Sequence, residues 1–252
     1  QGRRAGSEFE EKALDFIDKE FKSTFGKKLK RQPFFAFPSN EDSVLCNNGY
    51  FFSNQKKKQT ILLSAHYEHI GLGGALSKAA TKIEVHNGAD DNASGVAAVF
   101  QTVSDLLNAK TEYNILVVFY SAHEIGLFGS KAFEEVTKRK KYQSVFLHVN
   151  FDMVGRLDPS THQLYFSCTD ALKVNLPDTL LNGEVMVKES STNRLEMLDT
   201  KWSAAQGRNA ITITTGLHVD YHRPRDDAQY IEYSGILASS ELVQKLISNI
   251  QL

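Results

Sequence analysis

Apolar side chains recur along this chain at two spacings, that of an amphipathic helix and that of a buried strand. Residues 7–25 carry Leu14, Ile17 and Phe21 at intervals of three and four, with charged residues between them. A serine at the start of this segment offers a helix cap, and Gly26 offers a stop. The pattern predicts a helix over these residues.

Three nearly continuous apolar runs are typical of strands that are buried on both faces. They cover residues 60–65, 113–121 and 144–151. Residues 94–108 and 127–138 show helical spacing between these runs. Shorter or weaker patterns predict strands at 33–37, 49–53, 83–85, 164–167 and 210–215, and a last helix at 233–250.

Strands that alternate with helices predict a parallel sheet, because a parallel pair needs the crossover connection that a helix supplies. The near-continuous apolar character of the strands agrees with helices covering both faces. No internal repeat and no low-complexity linker divides the sequence. We therefore expect a single α/β domain over residues 1–252, a twisted and mainly parallel β-sheet with helices on both faces.

Acids and histidines follow the predicted strands. His66, Glu124 and Asp152 come just after the three apolar runs, and His222 lies in the loop after the last β-rich run. Because the carboxyl ends of parallel strands meet at one edge of a sheet, these side chains are expected to meet there. Asp91 lies in a glycine-flanked loop that is able to reach the same edge.

Two imidazoles and three carboxylates form a ligand set that suits a pair of hydrolytic zinc ions. Three carboxylates resist sharing one site unpaired, because like charges oppose joint ionisation, and divalent cations relieve that cost. Asp91 is the natural bridge, which leaves one histidine and one further acid for each ion. Two ions about 3.5–4 Å apart could share one hydroxide and polarise a carbonyl.

Composition and charge narrow the range of partners. A net charge of −1 gives no electrostatic case for binding nucleic acid or an anionic membrane. The basic runs 56–58 and 138–141 are expected to be solvated turns or helix ends. No stretch is long and apolar enough to span a bilayer, so no membrane insertion is expected. Cys46 and Cys168 are interpreted as free, partly buried thiols. Two cysteines could form one disulfide, but their spacing does not indicate it.

Six segments carry motifs that are more specific than spacing alone. They are GRRAGSEFEEKALDFI, SAHYEHIG, NGADDNASGVAA, SAHEIGLFGS, VNFDMVGR and TGLHVDYHRPRDD. In this order, over nearly the whole chain, they resemble the co-catalytic zinc aminopeptidases of the bacterial leucyl aminopeptidase and aminopeptidase S type (metallopeptidase clan MH). The resemblance implies zinc-dependent hydrolysis of the N-terminal peptide bond through a metal-bridged hydroxide.

The resemblance also implies a role for each ligand-type residue. His66, Asp91 and Asp152 would hold one zinc ion. Asp91 would bridge to a second zinc ion held by Glu124 and His222. A cis peptide bond between Asp91 and the residue after it is implied as well, a costly bond outside proline that is tolerated at functional loops.

Three positions depart from the family pattern. The family's general base is a glutamate directly before the ligand glutamate, whereas this chain has His123 there. The acid two residues after the first ligand histidine is commonly aspartate, and here it is Glu68. A Ser-Asp-His segment that often lines the site aligns with Leu198, Asp199 and Thr200, so its histidine is missing.

His123 leaves several interpretations open. It could act as the base, because neutral imidazole accepts a proton, or it could be an additional metal ligand or a spacer. A second hypothesis is that the protein is a catalytically impaired or inactive family member that acts as a metal- or peptide-binding module. A different reaction, such as glutaminyl cyclisation, is a further alternative. Glu68 is one methylene longer than aspartate and could restore a carboxylate near the nucleophile.

We therefore expect a zinc-dependent exopeptidase of the aminopeptidase type that acts on peptide substrates, with His123 and Glu68 as the candidate catalytic residues. His69 is expected to support the site rather than to bind metal. No signal-peptide pattern is recognised in the chain. A periplasmic or secreted location is expected from the resemblance alone, since single-domain relatives are commonly exported.

Overall fold

The strands of this chain join into one hydrogen-bonded sheet. Within the described residues the sheet has nine strands. A computed structural model describes residues 2–39, 42–80, 83–142, 144–173, 176–191 and 195–250. In chain order the strands are β1 (Lys30–Ala36), β2 (Val44–Phe52), β3 (Thr60–His66), β4 (Asn114–Tyr120), β5 (Val145–Phe151), β6 (Gln163–Cys168), β7 (Thr179–Leu180), β8 (Val185–Glu189) and β9 (Asn209–Thr214).

The centre of the sheet is parallel and its flanks are mixed. The strand order is β1-β2-β4-β3-β5-β9-β6-β8-β7. The pairs β4–β3, β3–β5 and β5–β9 are parallel, whereas β1–β2, β2–β4, β9–β6 and β8–β7 are antiparallel. The expected parallel α/β arrangement is therefore confirmed for the core, and the carboxyl ends of β3, β4, β5 and β9 lie at one edge.

Helices cover both faces of the sheet, as the nearly continuous apolar strands predicted. Consecutive residues of β3 alternate between the two layers: Ile61 and Leu63 join one apolar core, and Leu62 joins the other. The first core receives α1, α2, α4 and α6, and the second receives α3, with α5 beside it. The helices are α1 (Glu8–Phe25), α2 (Gly95–Asn108), α3 (Phe128–Thr137), α4 (Asp170–Lys173), α5 (Lys201–Ala205) and α6 (Tyr233–Asn249).

The ends of α1 follow from the residues that flank it. The hydroxyl of Ser7 accepts a hydrogen bond from the backbone N–H of Glu10 at 3.1 Å, which caps the helix. Gly26 takes a left-handed conformation, and its N–H donates to the carbonyl of Lys22 at 2.9 Å. Phe21 is completely buried on the inner face. The predicted helix and its stop are confirmed.

Two parts of the predicted secondary structure need correction. The predicted strand at 83–85 is wrong: Ile83 makes only an isolated bridge with Gly73, and its side chain is 81% exposed. Ile83 and Glu84 are exposed and Val85 is half-buried, so the segment has little packing that would stabilise a strand. The short elements β7, β8, α4 and α5 were not predicted, because segments of two to five residues carry too little periodicity to be recognised.

The structure bears on two further expectations, the lack of a membrane-spanning segment and the state of the two cysteines. Among the described residues, no helix combines the length and apolar character that crossing a membrane requires. Cys46 and Cys168 are both buried and form no disulfide within the described residues, which agrees with the interpretation as two thiols. Residues 1 and 251–252 of the expected single domain lie outside the described residues.

Candidate metal centre

Four of the five predicted ligand residues lie at the carboxyl edge of the parallel strands. His66 ends β3, Asp152 follows β5, Glu124 lies between β4 and α3, and His222 lies in the loop after β9. His66 Nε2 is 3.7 Å from Asp152 Oδ1. His222 Nε2 is 3.1 Å from Glu124 Oε2. The fold brings side chains from four strands to one place.

Asp91 lies between the two histidines. Its Oδ1 is 3.3 Å from His66 Nε2, and its Oδ2 is 3.3 Å from His222 Nε2. Its backbone N–H donates to Asp226 Oδ2 at 2.9 Å, which holds the loop in place. The peptide bond between Asp91 and Asn92 is cis, as the resemblance implied. Each carboxylate oxygen of Asp91 therefore faces a different histidine.

Backbone carbonyls orient both histidines toward these carboxylates. His66 Nδ1 donates to the carbonyl of Glu68 at 3.2 Å, and His222 Nδ1 donates to the carbonyl of Leu76 at 2.9 Å. Since a carbonyl only accepts, Nδ1 of each ring carries a proton, and Nε2 is the nitrogen that could bind a metal. Both Nε2 atoms are buried and make no hydrogen bond within the described residues.

The spacing of these atoms fits a metal better than it fits hydrogen bonds. A tetrahedral zinc ion with bonds of ~2.0–2.1 Å keeps its ligand atoms about 3.3 Å apart. The contacts of His66 and His222 with Asp91 are 3.3 Å each. Buried polar atoms without partners are uncommon unless a ligand completes them. The donor set therefore fits zinc, with carbonyl partners that hold the imidazoles in the required tautomer.

His69 contacts the same carboxylates from the other side. Its Nδ1 donates to Glu124 Oε1 at 2.9 Å and lies 3.7 Å from Asp91 Oδ2. Atoms of His69, Asp91 and Glu124 are close enough together to surround an ion, as are atoms of His66, His123 and Asp152. The hydrogen bond from His69 is a contact that can orient the Glu124 carboxylate.

His123 lies directly against a candidate ligand. Its ring stacks on that of His66, with centroids 4.0 Å apart and planes inclined by 6°. An imidazole lone pair lies in the plane of its ring, so two parallel rings cannot both direct lone pairs at one ion. His123 Nδ1 instead donates to Asp199 Oδ2 at 2.9 Å. The sequence placed Asp199 in an aligned segment but did not predict this contact. The two residues are 76 positions apart, and no local pattern indicates that they meet.

Glu68 contacts backbone groups beside the site. Its Oε1 accepts from the N–H of His123 at 2.5 Å and from the N–H of Glu124 at 3.1 Å. The side chain is completely buried, and Oε2 makes no hydrogen bond within the described residues. Glu68 therefore holds the turn that carries both His123 and Glu124.

The electrostatic balance of the site favours the ionised forms of Asp91 and Glu124. Burial opposes ionisation of Asp91, yet His222 and His66 hold its pKa well below the usual range. Burial and Asp91 likewise oppose ionisation of Glu124, and His222 and His69 still lower its pKa to about 2. Burial disfavours charge on His222, but Asp91 and Glu124 raise its pKa to about 10. The cluster attracts positive charge, which a divalent cation would supply.

A cavity of about 1110 Å³ opens above these residues. The side chains of Asp91, His123, Glu124 and Asp152 line one part of it. Apolar side chains form much of its remaining wall, and two of them are strongly exposed at 74% and 85%. The exposed pair is Leu217 and Val219, and the other apolar residues include Leu157, Met197, Leu198 and Tyr221.

Comparison with known proteins defines the family to which this fold and this group of side chains belong. A family model described as Peptidase family M28 matches residues 51–247, and the chain belongs to that family. The resemblance seen in the motifs is thereby confirmed.

Two curated relatives share parts of the chain. The probable lipoprotein aminopeptidase LpqL of Mycobacterium tuberculosis is 37% identical over 73 residues, which are 29% of this chain and 15% of that protein. The aminopeptidase YwaD of Bacillus subtilis is 24% identical over 117 residues, 46% of this chain and 23% of that protein. The matches thus span less than a quarter of the length of each relative.

Solved structures show the same fold over nearly the whole chain. A Zn-dependent exopeptidase from Parabacteroides distasonis is 17% identical with a TM-score of 0.80, covering 99% of this chain and 93% of that one. The glutaminyl cyclase of Bacteroides thetaiotaomicron is 16% identical with a TM-score of 0.76. The match covers 99% of this chain and 93% of that one. The scaffold is therefore shared by proteins with different reactions.

Proposed function

We propose that this protein is a zinc-dependent exopeptidase of the aminopeptidase type, which hydrolyses the N-terminal peptide bond of peptides. One observation carries the proposal. The unpartnered Nε2 atoms of His66 and His222 lie on opposite sides of Asp91, each 3.3 Å from a different carboxylate oxygen. Membership of peptidase family M28 and the aminopeptidase relatives support this choice of reaction.

Two zinc ions would be shared among the five ligand residues. His66 and Asp152 would hold one ion, Glu124 and His222 would hold the other, and Asp91 would bridge them. When bound, the ions supply Lewis-acid polarisation of the scissile carbonyl and lower the pKa of water. The number of ions is part of the proposal and rests on the two separate faces of the bridging carboxylate.

His123 would move the proton. Because Nδ1 donates to the Asp199 carboxylate, Nε2 is the nitrogen left to accept a proton from the attacking water. The same nitrogen would return that proton to the leaving amine, so the peptide C–N bond breaks without a net change at the ring. Glu68 keeps His123 in position through its backbone N–H.

Glu68 is retained as a second candidate catalytic residue. Its buried Oε2 has no hydrogen bond within the described residues, which makes it available to a polar group of the site. Burial raises the pKa of Glu68, so this carboxyl differs from an ordinary surface acid. Turnover by a Glu68→Gln variant tests the idea, and native turnover in that variant would limit Glu68 to its backbone contacts.

The setting of the enzyme is also a proposal. We infer that residues 1–252 act as one metallopeptidase domain, since all strands of the described residues join one sheet with the candidate site at its edge. Export to the periplasm or beyond the cell is supported by the one relative described as a lipoprotein. The cavity beside the site offers apolar walls to a peptide side chain.

The test is hydrolysis of a panel of fluorogenic aminoacyl substrates by the zinc-loaded protein. Native activity that vanishes in His66→Ala supports the aminopeptidase proposal. A silent native protein that gains activity in His123→Glu would show a catalytically impaired family member on an intact scaffold. Peptides with N-terminal glutamine are included, because loss of ammonia without peptide cleavage would indicate glutaminyl cyclisation instead.

A further inference from the structure

Arg3 connects two backbone segments that approach the candidate metal centre. Its Nε donates to the carbonyl of Tyr67 at 2.7 Å, and its Nη2 donates to the carbonyl of Gly88 at 2.6 Å. Nη1 donates to the carbonyl of Asn87. Nη2 also lies 3.5 Å from the carbonyl oxygen of Asp91. One guanidinium group therefore meets four carbonyl oxygens.

The two segments are those that carry His66 and Asp91. Tyr67 directly follows His66 at the end of β3, and Gly88 precedes Asp91 by three residues. A guanidinium is planar and its donors have fixed directions, so bonds to both segments set the separation of their carbonyls. The 3.3 Å spacing between His66 Nε2 and Asp91 Oδ1 depends on that separation.

Other contacts hold Arg3 in this place. Its carbonyl accepts a hydrogen bond from the N–H of His69 at 3.0 Å. The neighbouring Gly2 packs so closely that an added Cβ would lie 2.6 Å from the backbone of Gly71. Burial lowers the pKa of Arg3, while the nearby carboxylate of Asp91 counters that change. The segment is therefore built against the site and is not a loose extension.

We propose that Arg3 is a positioning residue of the candidate metal centre, which holds the His66 and Asp91 segments at the spacing that zinc requires. The proposal deepens the proposed function and rests on its metal centre, but it does not depend on peptide hydrolysis. Zinc affinity is therefore the property to measure, because a protein without turnover would still report on it.

The experiment compares zinc affinity by competition with a chromophoric chelator at fixed pH. Arg3→Ala is expected to bind zinc about 10–100-fold more weakly, the usual cost of removing a group that orients ligands. Arg3→Lys keeps the charge but cannot reach both segments, so it should also bind more weakly than the native protein. Arg4→Ala is the matched control: Arg4 is the exposed neighbour and should change affinity less than twofold.

Chemical rescue separates positioning from general destabilisation. Millimolar methylguanidinium should restore zinc affinity to Arg3→Ala, whereas the same concentration of methylammonium should not. Native-like zinc affinity in folded Arg3→Ala and Arg3→Lys would overturn the proposal, and so would a native protein that binds no zinc. If Arg3→Ala does not fold, Arg3→Lys decides the matter in the same way. A native protein that binds zinc but cleaves no peptide would contradict only the proposed function.

Discussion

Nδ1 of His123 lies 2.9 Å from Oδ2 of Asp199, and the side chain of Asp199 is completely buried. Because a carboxylate only accepts, this contact places a proton on Nδ1 and leaves Nε2 as the ring nitrogen that can exchange a proton with the site. The two residues are 76 positions apart in the chain. The ring of His123 stacks on His66 at 4.0 Å, so Asp199 orients a potential base directly beside a candidate ligand.

Asp199→Asn tests whether this carboxylate sets the state of His123. An amide can donate to Nδ1 and so favour the tautomer whose Nε2 carries the proton, which cannot act as a base. We expect kcat to fall by about 10²-fold or more, with KM changed much less, because ground-state binding does not use the Nε2 lone pair.

Asp158→Asn is the matched control for that substitution. Asp158 also lines the cavity, but it is exposed and hydrogen-bonds to Ser160. Its kinetics should stay close to native. Native kcat in Asp199→Asn would contradict the role given to Asp199, whatever the control shows.

His123→Ala tests the argument from parallel rings. Since the lone pairs of two stacked imidazoles cannot meet at one ion, His123 is not expected to bind an ion that His66 would hold. Zinc content after dialysis, measured by mass spectrometry, should remain native in His123→Ala while turnover falls by about 10²–10⁴-fold. His66→Ala, the ligand control, should lose zinc. Loss of zinc from His123→Ala would instead make His123 a ligand.

Gly88→Ala tests the packing of the loop that carries Asp91. Gly88 has a φ of 58°, and an added Cβ would lie 2.3 Å from the carbonyl oxygen of Asp91 and 2.7 Å from the ring of His69. The loop must shift to make room, so zinc affinity should fall. The free energy of unfolding should drop by about 1–3 kcal/mol from overpacking, beyond the cost of the backbone conformation.

Gly74→Ala provides the comparison for that loss. Gly74 has a similar φ of 68°, but an added Cβ would meet nothing within 4 Å. It should therefore show only the cost of a left-handed conformation, about 1 kcal/mol, with zinc affinity unchanged. Equal losses of stability and affinity in both variants would rule out the close approach at Gly88 as the cause.

Glu10→Gln tests a pH dependence of stability that arises away from the metal ligands. Burial raises the pKa of Glu10 to about 8, although its carboxylate accepts hydrogen bonds from Ser121 and from the N–H of Gly6. In the unfolded chain this carboxyl titrates near its ordinary value of 4.5. The unfolded state therefore loses its proton first, and this residue's contribution to stability falls as pH rises from about 5 to 8.

The variant has no carboxyl to titrate at this position. The free energy of unfolding of Glu10→Gln, relative to the native protein, should rise across that pH window by as much as about 4 kcal/mol. Denaturant unfolding of both proteins at about pH 5, 6.5 and 8, which span this window, measures that difference. Glu11→Gln changes a half-exposed carboxylate paired with Arg31 and should show no such trend. A constant difference between Glu10→Gln and the native protein would contradict the buried-acid explanation.

Hydrophobic periodicity by itself determined most of the regular structure. The apolar runs at 60–65, 113–121 and 144–151 became the central strands β3, β4 and β5. These strands are buried on both faces, so burial favours a sequence that is apolar at most positions. The flanks followed less closely: β8 carries exposed polar residues, and 83–85 found no strand to pair with.

The sequence also determined which side chains meet at the edge of the sheet, because parallel strands bring their carboxyl ends together. Only the tertiary structure decided what surrounds them. Asp199 reaches His123, Glu68 turns to backbone N–H groups, and Arg3 joins two loops. Each of these contacts joins residues more than 50 positions apart, and such contacts depend on how elements pack, which no local spacing of residues records.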